Sequence, residues 1–376
     1  MLKSCKLKVI VLILVALFLL LNGVAAGENS LSVSAEATVL LDWNSGRVLY
    51  ARSAHLPRPM ASITKVMTAA LALEAGDLND VVVTSPRAAA TGGSSIWLEE
   101  GEEKTLEELL YGLMLRSGND AAVAIAEHIA GNESSFAKIM TRRAQELGAR
   151  NTSFRNPHGL HHEEHYTTAY DFALIAAHAM GISRFKEIIR TEHTIISWPG
   201  HPWERHLYNQ NKLLEVYPGA EGIKTGWTTP AGRCFVGAAT RDGRRLIVVL
   251  LNAPNMWEDA VELLEYGFNK YSYKLLIYEG QNLKTLPVLD SIKERVNIMA
   301  AQSFHFPIQA GEKDKVSYRF ITSDSLLATL KAGEVIGELE INFEGELIGV
   351  VDLLAAEDIN KITFWQRLKR LMGRGV

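Results

Sequence analysis

The chain has 376 residues, 47% of them hydrophobic and 22% charged, the composition of an ordinary folded protein with no sign of extended disorder. Its formal net charge is −4, and an acidic body argues against nucleic acid as the main partner, which would call for a basic face.

Lys3, Lys6 and Lys8 make a basic start, and Val9 to Leu21 is an uninterrupted apolar run of 13 residues. That run is shorter than the roughly 20 residues a membrane-spanning helix needs. Val24-Ala25-Ala26 supplies the small residues that signal peptidase cuts after. Residues 1–26 are therefore predicted to be a secretory signal peptide, an uncleaved anchor being the alternative. The mature chain then starts near Gly27, on the outer side of the cytoplasmic membrane. Loss of three lysines takes the formal charge from −4 to −7. Cys5 leaves with the signal, so Cys234 has no intrachain partner, and its apolar surroundings Phe235-Val236-Gly237-Ala238-Ala239 predict a buried, inert side chain.

The remaining length suggests two domains, or one with an appendage. Residues 37 to 50 read as a β-hairpin turning at Asn44-Ser45-Gly46-Arg47, with Ala37, Val39 and Leu41 on one face. A helix is predicted from about Ser62 to Ala75, stopped by Gly76. A mostly helical stretch follows, roughly 106 to 185, where Thr105 and Glu108 form a capping box and Gly131 ends a helix. Two apolar runs, Phe235 to Ala239 and Leu246 to Leu251, are joined by a turn at Arg241-Asp242-Gly243-Arg244. A helix from about Met256 to Lys270 closes this part. Strands at both ends with helices between them indicate one α/β domain over 27–282 whose sheet is assembled from distant segments.

Beyond Gln281 short alternating strands take over, such as Val316, Tyr318 and Phe320, then Leu339, Ile341 and Phe343, and 283–352 is read as a small β-rich domain. In the last segment, 353–376, Phe364, Trp365, Leu368, Leu371 and Met372 share one helical face. Lys361, Arg367, Lys369, Arg370 and Arg374 supply the other. This pattern predicts an amphipathic helix lying on an anionic membrane, against the alternative of a helix packed on the β-rich domain.

Three short motifs carry the chemistry. In Ser62-Ile63-Thr64-Lys65 the i, i+3 spacing puts a lysine amine on the same face as a serine hydroxyl. The lysine can take the hydroxyl proton only if burial or a neighbouring cation lowers its pKa. The spacing alone says little, because Ser135-Phe136-Ala137-Lys138 repeats it. Ser117-Gly118-Asn119 falls between two predicted helices, where a hydroxyl and an amide can turn into a cleft or merely cap a helix. Lys224-Thr225-Gly226 opens a strand, with a cation and a hydroxyl suited to an anionic terminus. Gly226 clears the edge for an extended peptide.

Together and in this order, Ser-x-x-Lys, Ser-x-Asn and Lys-Thr-Gly match the set that marks penicillin-binding proteins and class A β-lactamases. The sequence resembles the low-molecular-mass D-alanyl-D-alanine carboxypeptidases among the penicillin-binding D,D-peptidases, over nearly the whole mature chain. The likeness extends to Leu41-Asp42 with Gly46 to Tyr50, Pro59-Met60-Ala61, Gly93-Ser94-Ser95-Ile96-Trp97-Leu98, Asn156-Pro157-His158-Gly159-Leu160 and Tyr217-Pro218-Gly219. It also takes in the β-rich C-terminal domain and the amphipathic tail. It implies the transpeptidase fold, an antiparallel sheet with a helical subdomain. Ser62 is then the nucleophile towards the penultimate D-alanine, Lys65 its base, and Ser117 the relay to the departing D-alanine, polarised by Lys65 and Lys224. Asn119 would hold the substrate amide, Lys224 and Thr225 the terminal carboxylate, and the N–H groups of Ser62 and Trp227 the oxyanion, beside Gly226. The implied partners are the pentapeptide stem of peptidoglycan, β-lactams as covalent inhibitors, and the outer face of the cell membrane. No cofactor or metal is implied. Some members carry His where this chain has Trp227, which bears on turnover and β-lactam release.

His158, His161, His162 and His165 with Glu163 and Glu164 raise a zinc peptidase as a rival, but no Glu follows His161 as the zincin pattern requires. A β-lactamase is a closer rival, yet no segment resembles the loop carrying its deacylating glutamate, and Gly118 replaces the usual Asp. A non-catalytic peptidoglycan-binding scaffold is the third, and three intact motifs argue against it.

Overall fold

The computed structural model describes residues 31–373, so the predicted signal at 1–26 lies outside them. The hairpin forms as β1 (Ala37–Asp42) and β2 (Val48–Arg52). A 3₁₀ turn, Ala61–Thr64, leads into α1 (Lys65–Ala75), so Ser62 sits in the turn and Lys65 opens the α-helix. Helices α2 (Leu106–Leu115), α3 (Asn119–Ala130), α4 (Glu133–Glu146), α5 (Ala169–Ala179) and α6 (Ser183–Arg190) follow. The capping box of Thr105 and Glu108 is present, and Gly131 ends α3 at φ +77°. Sequence reading missed a small hairpin, β3 (His193–Ile196) and β4 (Arg205–Tyr208). Then come β5 (Ala220–Thr228), β6 (Gly232–Arg241), β7 (Arg244–Leu251) and α7 (Met256–Lys270).

These strands form one antiparallel sheet in the order β2-β1-β7-β6-β5, with the N-terminal hairpin paired to the last strand. Both faces are covered, which explains the unbroken apolar run of β7. Ile247, Val249 and Leu251 join Val39, Leu41 and the buried helix α1 in the larger core. Leu246, Val248 and Leu250 face Leu263 and Leu264 of α7. The lone Cys234 is fully buried in the larger core, and burial pushes its thiol up to about 11. Strand β5 is the sheet edge, and its Lys224-Thr225-Gly226 lies against the turn that carries Ser62.

The β-rich part begins earlier than residue 283. Strand β8 (Ser272–Ile277) pairs with β11 (Phe304–Ile308). A six-stranded sheet contains β9 (Asn282–Leu289), β10 (Arg295–Ala300), β12 (Val316–Thr322), β13 (Leu326–Leu327), β14 (Val335–Phe343) and β15 (Glu346–Ala355), ordered β12-β14-β15-β10-β9-β13. Leu353–Ala355 thus belong to a strand, and the tail helix α8 runs only over Phe364–Gly373. Arg47 of the hairpin turn ties the two parts together. It pairs with Glu312 at 2.8 Å, donates to the Pro307 carbonyl and lies 4.3 Å from the centre of the Phe343 ring.

Candidate active site

The turn before α1 is held from two sides by glycines. A Cβ on Gly159 would lie 2.0 Å from the Ala61 carbonyl oxygen, and one on Gly226 would lie 2.7 Å from the Ser62 backbone nitrogen. Only bare backbone lets strand β5 and the loop after α4 close on the turn this tightly. Ala61 itself takes φ +47°, an uncommon conformation for a side-chain-bearing residue, immediately before the nucleophile candidate.

Lys65 is fully buried. Its amine lies 3.2 Å from Ser62 Oγ and donates to Asn119 Oδ1 at 2.7 Å and to the His158 carbonyl at 2.7 Å. Burial, and then the nearby Lys224 charge, hold its pKa well below the usual lysine value. Lys224 is also buried, which brings it down to about 7, and its amine donates to the Thr225 carbonyl at 3.1 Å. One such amine beside the Ser62 hydroxyl, with a second close enough to act on its charge, gives a site that can deprotonate serine and still offer a cation.

Ser117 adopts φ +63° between α2 and α3 and lines the same cleft as Ser62. Among the described residues its hydroxyl makes no hydrogen bond with either lysine; Lys224 bonds elsewhere. Asn119 is 3% exposed, its Nδ2 donating to the Gly92 carbonyl at 2.7 Å while Oδ1 accepts from Lys65. It thereby positions Lys65, and its second Nδ2 hydrogen and second Oδ1 lone pair remain for a further partner. Thr225, Gly226 and Trp227 line the cleft, and Trp227 is 65% exposed at its rim.

The decoy motif is dispersed: Lys138 is solvent-exposed on α4, and the Ser135 N–H is taken by the helix cap Asn132. The histidines do not gather. His161 and His162 are exposed, while His165 is buried against the Thr64 hydroxyl at 2.8 Å. His158 gives its carbonyl to Lys65 and its ring nitrogen to Glu133 at 3.2 Å.

The cleft has a volume of ≈530 Å³ and is also lined by Ser94, Gln210, Lys212, Arg233, Met256 and Trp257. Apart from Ser94, no motif in the sequence marks these residues. Ser94 alone carried a signal, lying in the quoted Gly93 to Leu98 segment.

The model of the D-alanyl-D-alanine carboxypeptidase family matches residues 24–255, more than half of the chain. The chain belongs to the D-alanyl-D-alanine carboxypeptidase family. A second model, that of the penicillin-binding protein 5 C-terminal domain, matches residues 271–361, the span in which β8 through β15 lie. D-alanyl-D-alanine carboxypeptidase DacF of Bacillus subtilis is 34% identical, the match covering 92% of this chain and 91% of that protein. Penicillin-binding protein 5 of Haemophilus influenzae shares the fold with a TM-score of 0.72 at 29% identity, over 89% of this chain and 100% of the other. A peptidoglycan synthesis regulatory factor, PBP3 of Streptococcus pneumoniae, gives a TM-score of 0.74 at 26% identity, over 88% and 100%. These family members share both parts of this chain, the α/β body and the β-rich unit.

Proposed function

We infer that the protein is a serine-type D-alanyl-D-alanine carboxypeptidase that releases the terminal D-alanine of peptidoglycan pentapeptides through an acyl-enzyme on Ser62. The observation that carries this reading is the buried Lys65 amine 3.2 Å from Ser62 Oγ. Neutral Lys65 takes the hydroxyl proton as Oγ attacks the carbonyl carbon of the penultimate D-alanine. The developing oxyanion is held by the backbone N–H groups of Ser62 and Trp227. Collapse breaks the peptide bond, and the leaving amine recovers a proton from Lys65 by way of the Ser117 hydroxyl. Water then adds to the ester, with the same amine as base, and frees Ser62.

Lys224 in its protonated form and the Thr225 hydroxyl hold the terminal carboxylate. Gly226 leaves the strand edge open, so the stem peptide can lie along β5 as an added strand. Asn119 holds the substrate amide and also fixes Lys65 through Oδ1. β-Lactams present the same carboxylate beside a strained amide and acylate Ser62 in the same way.

The protein is exported by residues 1–26 and works on the outer face of the cell membrane. Among the described residues no helix is long and apolar enough to cross a membrane. The support for a surface anchor is α8, where Phe364 and Trp365 are each 71% exposed. Arg367 and Arg370 turn back to Asp290 and Glu294 on the β-rich unit. The helix is thus docked by part of its basic face and presents aromatic rings outward, which suits insertion into the headgroup region.

The test is D-alanine release from a peptide ending in Lys-D-Ala-D-Ala. The mature protein should release one equivalent per peptide and Ser62→Ala none; release by Ser62→Ala at the parent rate would sink the acyl-enzyme reading.

A further inference from the structure

Beside the cleft lies a second groove of ≈550 Å³, lined among others by Thr91, Gly92, Gly93, Trp97, Glu99 and Trp198. It shares a wall with the cleft. Gly92 accepts from Asn119 Nδ2 at 2.7 Å, and Ser94, which lines the cleft, accepts from the Asn119 N–H at 2.7 Å.

Trp97 is held there against its own preferences. It is 70% exposed and takes φ +62°, a conformation bulky residues avoid. Its N–H is taken by Ser95 Oγ at 2.7 Å and its carbonyl by Arg205 at 2.7 Å. Buried Asp120 accepts from the N–H groups of Ile96 and Leu98, on either side of it. Arg205 is itself buried, paired with Glu102, and its guanidinium lies 4.3 Å from the centre of the Trp198 ring. One buried ion pair therefore holds the Trp97 backbone and packs on the Trp198 ring. Glu99 accepts from Trp198 Nε1 at 3.3 Å and meets His201 at 2.7 Å, and the His201 ring centre lies 4.6 Å from that of Trp198.

A strained, pinned and exposed tryptophan contributes little to stability and marks a binding surface. The exposed Trp97 ring, the side-chain-free Gly92-Gly93 backbone and the Glu99 carboxylate in one groove match a pyranose ring, which has apolar C–H faces and hydrogen-bonding edges. We propose that this groove is a carbohydrate subsite that receives an N-acetylated pyranose of the glycan carrying the stem peptide. The proposal rests on the carboxypeptidase reading of the neighbouring cleft.

The test compares kcat/KM for one pentapeptide, free and linked to its N-acetylglucosaminyl–N-acetylmuramyl disaccharide, on the same enzyme preparation. The ratio of the two is insensitive to the fraction of protein correctly folded. The parent should prefer the sugar-bearing substrate by about tenfold, the order expected of ring stacking. Trp97→Gly, which also relieves the backbone strain, should bring the ratio close to one, while Trp97→Tyr, which keeps a flat ring, should retain most of it. A parent ratio of one overturns the subsite and leaves the carboxypeptidase reading intact. A preference that survives Trp97→Gly, or a variant that slows both substrates equally, also overturns it, the latter making Trp97 a peptide contact. No release from either substrate by the parent contradicts the carboxypeptidase reading and takes the subsite with it.

Discussion

Replacing Gly226 by alanine puts a methyl group into the narrowest gap of the site. The new Cβ would lie 2.7 Å from the Ser62 nitrogen, 3.0 Å from the Ile63 nitrogen and 3.2 Å from the Ala61 Cβ. Ordinary contact begins at 3.4 Å, so strand and turn must separate by about 0.7 Å. The atoms in the way are mostly backbone, and the turn cannot retreat because Gly159 is closed on the Ala61 carbonyl behind it. Overpacking of this kind costs about 1–3 kcal/mol, or about 3–10 °C in Tm for a domain of this size. The catalytic cost is larger. The gap separates the two proposed oxyanion donors, and misplacing one costs about 10²–10³ in rate. The assay is the second-order rate constant for acylation by a fluorescent penicillin, with Tm measured alongside. Acylation within about threefold of the parent, at unchanged Tm, would refute the argument that this gap sets the oxyanion geometry.

Three further outcomes follow from the same geometry. Because Lys224 must carry its proton to hold a carboxylate, kcat/KM should fall as pH rises through about 7, its value in the empty cleft; Lys224→Arg should move that alkaline limb to higher pH, and an unmoved limb would assign it to another group. Deleting residues 359–376, or replacing Phe364 and Trp365 by serine, should shift the mature protein from anionic vesicles to the supernatant in a sedimentation assay; continued binding by both variants would rule α8 out as the anchor. Arg47→Ala leaves Glu312, which is 12% exposed, with only Lys315 at 3.9 Å as a cation and should cost about 1.5–3 kcal/mol, read as a lower Tm or as separate melting of the two parts; an unchanged single transition would show that Arg47 does not couple them.

The parts of this protein most legible in its sequence were those set by local chemistry. The capping box at Thr105, the Gly131 stop and the helix over 256–270 all rest on interactions within a few residues. The three motifs were legible as a set because their order along the chain is distinctive. What sequence could not supply was partnership across the fold. Asn119 reads as a substrate ligand, and no sequence signal shows that its amide also holds Lys65 and the Gly92 carbonyl. His158 reads as a metal candidate, yet its contribution to Lys65 is a backbone oxygen, which no side-chain pattern can reveal. The hairpin β3–β4 was missed because its strands are only four residues each, too short for a period to register. The tail helix was placed too early because the apolar alternation of β15 runs on to Ala355 before the helical pattern begins.

The central claim is a covalent bond to one hydroxyl. Intact-mass measurement after incubation with a fluorescent penicillin, followed by peptide mapping, reads it directly. The account predicts one adduct per chain, located on the peptide containing Ser62 and missing from Ser62→Ala. An adduct that persists in Ser62→Ala, or a folded parent that takes up none, would contradict it.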